Sequence, residues 1–562
     1  MAKALPGRYL RNIERLAYLI ALWSFLVLFF ETIISYYAPY QQVEIYTAIA
    51  NLLFLAFSTM ARIWGGDALR DYRHVMFDLV LFIPGVILLF FQPKILIFLL
   101  LIRQTYFFLQ YLLFRAMEGK LFKLLSDNPP VSLMLSFALV IVVGTVLLML
   151  PSANVAHRVT APIDALFIAT SATCVTGLAV FDIGSTLTLM GQLVVLLLIQ
   201  IGGLGIMTIS TAFALIMGQR LTLKLENIMY SVMGKDRRLD IFQLLKSVIL
   251  VTAIIELVGA ALLFFVFSRE MDPAQAIYHS VFHSVSAFCN AGFSLFPDSL
   301  IRYVEHPLLN VVITILITLG GVGFAVIIDL YHRFFSRDNH KLSLHSKLVL
   351  VTTLALLLIG AVGFFWAEYN NTMRGFDLDK RLFSSWFQST SSRTAGFDTI
   401  ACERISPATV LICQALMFVG ASPGSTGGGM KTTTLALLVI SVISIFRGRR
   451  ELTVFNRKIP MSNLREAVAL ISLITFILLL STFLLLITEH KAFDKVAFEA
   501  ISAFSTCGLS MGITPYLTHL GKFIIILLMY IGRIGPLTMI YALSMRKVQP
   551  RLSYAEEKVM IG

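Results

Sequence analysis

Apolar runs with few or no charges recur near 131–150, 186–217, 247–268, 308–328, 348–367, 408–446, 467–488 and 523–545. Each is long enough to cross about 30 Å of hydrocarbon as helix. Upstream, 16–37, 44–61, 76–92 and 95–114 add four more, the last two sharing a tight turn at Gln92-Pro93, so twelve spans are expected. Between the paired downstream runs, at intervals of roughly 110 residues, lies a shorter stretch that stops at a glycine amid small and hydroxyl residues. The four copies are Phe167–Gly177, Phe282–Gly292, Trp386–Gly396 and Phe498–Gly508. An aromatic stands ten residues before each glycine, a hydroxyl six before it (Ser171, Ser286, Thr390, Ser502) and a small residue five before it.

A fixed period announces one supersecondary unit used several times. Each unit reads span, half-helix, glycine turn, span. The half-helix is too short to cross, so it re-enters and stops part-way, which is tolerated only where the exposed backbone is buried in protein or lines water. Its carbonyl end favours a cation on its axis, and glycine lets the next carbonyls turn toward that ion. Four such ends around one axis would make a ring of oxygens able to replace a hydration shell. The expected fold is therefore an all-α membrane protein with fourfold pseudosymmetry. Its divisions are an N-terminal four-span block over 1–124 and repeats over 125–235, 236–340, 341–460 and 461–562.

Composition narrows this further. Apolar residues make up 57% and charged residues 14% of the chain, outside the range of a soluble domain. With the N-terminus cytoplasmic, about 30 of the 45 Lys and Arg fall in inside loops, both termini are cytoplasmic, and all four glycine segments lie outside. The net charge of +13 is thus a topology signal; no soluble basic module exists to bind nucleic acid. Basic residues followed by a long run without a cleavage site read as a first span rather than a removable leader. The five cysteines have neither metal nor disulfide spacing, and Cys174, Cys289 and Cys507 read as small packing residues. No zinc-binding histidine pattern and no nucleophile elbow occurs, so no enzyme chemistry and no covalent cofactor is expected.

Acids near the repeats fit a cation path. Asp272-Pro273 reads as a cap and first-turn proline, Asp164 and Asp494 hold similar places, and Asp182, Asp298 and Asp398 follow their glycines. Singly, each is as readily a loop or capping residue. Glu256 and Asp329 lie in or near spans, where acids either relay ions or bridge helices. In the N-terminal block only Arg103 is placed to feel a membrane field, so a packing role outweighs voltage sensing.

The units also differ. Gly202-Gly-Leu-Gly205, Gly320-Gly-Val-Gly323 and Gly532-Arg-Ile-Gly535 align, which puts Arg533 where the other copies have glycine. A charge inside a span is by default a functional candidate; Arg533 is expected in the cavity below the ring, limiting flux or pairing with an acid or carbonyl. In the third unit the second span is interrupted over 420–431, where Pro423 and five glycines cannot continue a helix. It reads as an intramembrane loop that obstructs the path and moves aside. Met430 stands where a phosphate-binding loop needs glycine, which excludes nucleotide binding there.

Thr176-Gly177-Leu178, Asn290-Ala291-Gly292-Phe293, Arg393-Thr394-Ala395-Gly396-Phe397, Ser422-Pro423-Gly424-Ser425-Thr426-Gly427 and Gly532-Arg533-Ile534-Gly535-Pro536 resemble the signature segments of the KtrB/TrkH/HKT superfamily of potassium transporters. The tail from Tyr554 to Gly562 is similar to the KtrB end in particular. The resemblance covers about 125–562 and implies gated potassium uptake in the bacterial inner membrane. It also implies a homodimer in membrane lipid with one pore per chain, controlled by a cytosolic nucleotide-binding ring of the KtrA/TrkA kind. Carried over by motif, the ion ligands are Thr176 and Gly177, then Asn290, Ala291 and Gly292, Thr394, Ala395 and Gly396, and Thr506, Cys507 and Gly508. The gate comprises Gly420, Ser422, Pro423, Gly424, Ser425, Thr426, Gly427, Gly428, Gly429 and Lys431, with Arg533. Glycine at 177, where the plant branch carries serine in sodium-selective members, implies potassium. The four-span N-terminal block departs from the family pattern and leaves the regulatory partner open. Sodium as an activator, a sodium-permeable channel and a proton- or sodium-coupled transporter remain alternatives.

Overall fold

The computed structural model describes residues 129–216, 241–335, 341–449, 451–536 and 538–539, with Ile49, Leu52, Leu53 and Ala56. Apart from those four residues the expected N-terminal spans lie outside the described residues, as do Arg103, residues 218–240 of the inside loop expected over 218–246, and the C-terminal tail.

The described chain is helical apart from the short hairpin Thr453–Val454 with Arg457–Lys458. Its first unit holds α1 (Pro129–Met149), the half-helix α2 (Pro162–Thr173) and α3 (Leu189–Ile216). The second holds α4 (Ile241–Phe267), the half-helix α5 (Pro273–Phe288), α6 (Pro307–Val322) and α7 (Phe324–Phe335). The third holds α8 (Leu344–Glu368), the half-helix α9 (Leu378–Ser391), α10 (Pro407–Phe418) and α11 (Thr432–Phe446). The fourth holds α12 (Met461–Glu489), the half-helix α13 (Phe493–Ser505) and α14 (His519–Ile534). Among the described residues α1, α4, α8 and α12 carry windows long and apolar enough to cross a membrane.

The helices begin where local chemistry requires. Proline occupies the first turn of α2, α5, α6 and α10, where its missing N–H costs nothing. Ser343, Ser406 and Thr518 cap α8, α10 and α14 by accepting from Ser346, Thr409 and Gly521 N–H. Acids at the ends of two first spans brace the following helices. Glu368 accepts from Ser406 N at 2.7 Å, and Glu489 accepts from Thr518 Oγ1 at 2.6 Å.

Close helix contact depends on small residues, as expected where lipid supplies no hydrophobic drive between helices. A methyl group on Gly259 would strike Ser284, and one on Gly360 would strike Ser389. The same two serines donate to the first-span carbonyls of Glu256 at 2.7 Å and Leu357 at 2.8 Å. The units then pack in cyclic order: α5 against α3, α9 against α6, α13 against α10 and α2 against α14. The last contact carries an ion pair, Lys522 Nζ to Asp164 Oδ1 at 2.6 Å.

One expectation needs correction. By its hydropathy the run 308–328 is an unbroken span, with interruption confined to the third unit. Instead α6 and α7 meet at a bend of 102°. Gly323 between them takes φ +98°, and Gly205 and Gly535, at matching places, take +83° and +89°. The glycine that ends each Gly-x-x-Gly group therefore leaves the helical backbone in all three.

Candidate functional site

The four glycine segments share one backbone conformation. Gly177, Gly292, Gly396 and Gly508 have φ of +94°, +68°, +78° and +98°. Two residues before each, Val175, Asn290, Thr394 and Thr506 are also left-handed, at +56°, +59°, +68° and +50°. Such values are unusual for β-branched residues, and strain of this kind gathers at functional sites.

The segments also touch in a closed cycle. A methyl on Gly177 would strike the carbonyl oxygen of Ala291; on Gly292, that of Ala395; on Gly396, that of Cys507; on Gly508, that of Thr176. Each glycine thus lies against the carbonyl that precedes the next glycine, and the fourth returns to the first. Thr176, Ala291, Thr394, Ala395 and Cys507 are fully buried. Thr176 Oγ1 has no hydrogen-bond partner among the described residues.

A serine pins each turn, in two ways. Gly177 N donates to Ser171 Oγ and Gly508 N to Ser502 Oγ, both at 3.1 Å. Ser286 Oγ and Ser391 Oγ instead donate to the carbonyls of Phe293, at 2.8 Å, and Phe397, at 2.5 Å. Ser391, rather than the expected Thr390, is therefore the third member. Thr390 Oγ1 bonds back to Trp386 O at 2.9 Å within its helix, because the third copy has one residue fewer between serine and glycine.

Beneath the segments lies 420–431, non-helical as expected between α10 and α11. It is tied to its neighbours through backbone and hydroxyl groups. Ser422 N donates to Gly321 O at 3.0 Å, Thr426 N to Gly320 O at 3.2 Å, and Phe324 N to Gly424 O at 3.1 Å. Thr426 Oγ1 reaches Phe288 O at 3.2 Å, and Gly428 N reaches Thr506 Oγ1 at 3.1 Å. Gly427 and Gly428 lie against Thr394 and Thr506 so closely that a methyl would strike either hydroxyl. Lys431 Nζ closes the loop on Gly427 O at 2.9 Å, Ser422 Oγ meets Thr432 Oγ1 at 2.9 Å, and Ser425 Oγ bonds Ser422 O at 2.6 Å. Gly420 packs on Gly428 and Gly429; Pro423 O lies where a methyl on Gly323 would go.

Arg533 is 5% exposed. Its guanidinium donates to Thr426 O in the interrupting segment and to Gly202 O in the first unit. Of the partners expected for it, carbonyls are present. A second buried arginine, Arg393, is not singled out by the sequence. It sits one residue before the left-handed Thr394 and donates to Gly420 O at 3.4 Å.

The acids are mostly engaged elsewhere. Asp182 accepts from Gly184 N at 3.1 Å, Asp298 pairs with Arg302 at 2.7 Å, and Asp272 makes no side-chain cap. Asp398 is partly buried, and burial pushes its carboxyl up to about 6 against opposing hydrogen bonds from Cys402 and Gln388. Glu256 bridges helices, accepting from Gln200 Nε2 at 3.2 Å. Asp329 holds the α7–α8 connection, accepting from Ser346 Oγ at 2.6 Å and Ser343 N at 2.9 Å.

Membrane-length helices around a closed cycle of backbone carbonyls are the features of a membrane transport protein for cations. The family model for TrkH, described as cation transport protein, matches residues 99–553. The chain is 40% identical over 447 residues to the Ktr system potassium uptake protein B of Bacillus subtilis, covering 79% of this chain and 99% of that one. It is 36% identical to the potassium/sodium uptake protein NtpJ of Enterococcus hirae, over 76% of this chain and 95% of that one. The structure of the potassium transporter TrkH from Vibrio parahaemolyticus superimposes with a TM-score of 0.63, at 17% identity, over 84% of this chain and 96% of that one. The chain belongs to the TrkH cation transport protein family.

Proposed function

We propose that the chain is the membrane subunit of a Ktr/Trk-type system that takes up potassium through a gated pore in the bacterial inner membrane. The closed cycle of Thr176, Ala291, Ala395 and Cys507 carbonyls against the four glycines carries this reading. On it, the four repeats are related by fourfold pseudosymmetry, with 125–235, 236–340, 341–460 and 461–562 as units. Thr176–Gly177, Asn290–Gly292, Thr394–Gly396 and Thr506–Gly508 form the filter. Backbone carbonyls replace the hydration shell of a dehydrated potassium ion, so transport needs coordination and no bond is broken.

Segment 420–431 is the gate. It hangs from the half-helix ends and from Arg533 by hydrogen bonds that can exchange. Homodimerisation and a cytosolic nucleotide-binding ring of the KtrA/TrkA kind complete the assembly, in keeping with the naming of the Bacillus relative as one protein of a Ktr system. The Enterococcus relative, named for both potassium and sodium uptake, motivates a second reading, in which sodium permeates or activates.

The deciding experiment replaces Gly177 by Ser. Its Cβ meets the Ala291 carbonyl and its φ suits glycine alone, so the oxygen spacing must change. The expected result is at least a tenfold loss of preference for potassium over sodium, about 1.4 kcal/mol, in proteoliposome flux. An unchanged ratio in folded protein would refute the filter assignment.

A further inference from the structure

The four turn serines provide an alignment independent of the glycines. Three residues before them stand Ile168, His283, Gln388 and Glu499, all essentially fully buried. Two residues after the glycines stand Ala179, Ser294, Asp398 and Ser510. In three units these positions meet across the turn. His283 Nε2 lies 3.1 Å from Ser294 Oγ. Gln388 Nε2 donates to Asp398 Oδ1 at 3.4 Å. Ser510 Oγ donates to Glu499 Oε2 at 3.0 Å. The first unit has isoleucine facing alanine, which can make no such bond.

The residue types differ in every copy, yet the contact recurs between the same two places. What the repeats share is a polar tie. Each glycine segment lacks helical hydrogen bonds of its own and carries two left-handed residues, so its shape is imposed from outside. The turn serine holds its inner end, and the tie holds the end beyond the glycine.

The ties are themselves supported. Ser294 Oγ lies 3.3 Å from Ser299 O, and Ser299 Oγ accepts from Asp398 N at 3.1 Å, which sets the second tie beside the third. Glu499 also accepts from Thr514 Oγ1, which lies 3.0 Å from Ser510 Oγ.

We infer that His283–Ser294, Gln388–Asp398 and Glu499–Ser510 are positioning struts that fix the carbonyl spacing of three glycine segments and thereby set ion preference, leaving the first segment the compliant member of the ring. The inference rests on the filter reading above. A carbonyl cage discriminates between ions only as far as it resists closing on the smaller one, and hydrogen bonds anchored on the buried side chains of His283, Gln388 and Glu499 supply that resistance.

The test measures initial potassium and sodium uptake in proteoliposomes for Gln388→Leu, Glu499→Leu and Glu499→Gln, with Gly177→Ser in parallel. The two leucine variants should lower the potassium-to-sodium ratio by up to about tenfold, the range for leaving the tie's partner without its hydrogen bond. Glu499→Gln should restore it to within about twofold, because its amide oxygen still accepts from Ser510. Leucine variants with less folded protein but an intact ratio would show plain packing and overturn the proposal. Should the leucine variants fail to assemble, Ser294→Ala and Ser510→Ala remove one hydroxyl each, and an unchanged ratio in both overturns it equally. If Gly177→Ser shifts the ratio and the strut variants do not, the struts alone are refuted. If none shifts it, the filter reading falls too.

Discussion

Val175, Asn290, Thr394 and Thr506 hold positive φ angles that only asparagine among them accepts readily. Each strained position costs on the order of 1–3 kcal/mol and persists because its surroundings over-determine it. The carbonyl cycle is therefore held by its neighbours rather than by local preference. Asp398 allows its partial burial to be measured. Its carboxyl releases its proton near 6 in the folded protein against an ordinary 3.8. The folded state thus binds more protons than the unfolded one between these values, and stability falls as pH rises through that window, by at most about 3 kcal/mol. Asp398→Asn keeps an oxygen for Gln388 and should remove this decline; thermal melts of both proteins from pH 4 to 8 will show it as a melting-temperature difference that grows with pH. The glycines and their flanking hydroxyls were readable in the chain because glycine alone suits their φ. Val175 was not, since nothing in a valine announces a left-handed backbone. Nor was the shift from Thr390 to Ser391, because two adjacent hydroxyls look alike until a hydrogen bond chooses one.

The interrupted second spans show where helix logic is legible and where it fails. Proline and five glycines over 420–431 exclude a helix by summed propensity alone. Gly320-Gly-Val-Gly323 does not, because glycine in an apolar span is common and each costs only about 1 kcal/mol; the 102° bend emerges only when 420–431 packs into the angle, with Phe324 N bonding Gly424 O. Segment 420–431 and the bend therefore form one joint, which Arg533 ties to the fourth unit. Arg533→Ala should raise potassium flux severalfold while folded protein persists, because 420–431 loses an anchor from the fourth unit. Arg533→Lys should be intermediate, since one ammonium replaces a planar fork that reaches Thr426 and Gly202 together. Shortening 424–429 should raise flux as well. Lower flux in folded protein from either change would assign 420–431 to supporting the path rather than closing it.

At the scale of the molecule, the described helices pack in a cycle, α5 against α3, α9 against α6, α13 against α10 and α2 against α14. Apart from Ile49, Leu52, Leu53 and Ala56, the segment over 1–124 expected to hold four spans lies outside the described residues. Glu256 and Asp329, the two acids in or near spans, both hold hydrogen bonds between elements, which favours a bridging role over a coupling one. Current reversal should accordingly follow the potassium gradient and ignore imposed proton or sodium gradients; a shift with either would establish coupling. The ring also closes across the chain's two extremes. Lys522 meets Asp164, 358 residues earlier, and Gly508 supplies the surface on which the Thr176 carbonyl rests. The first unit's carbonyl is thus made long before its neighbour exists. A chain that ends before the fourth unit lacks both the glycine on which the Thr176 carbonyl rests and the arginine that reaches Thr426, so the contact cycle can close only once the last unit is in place.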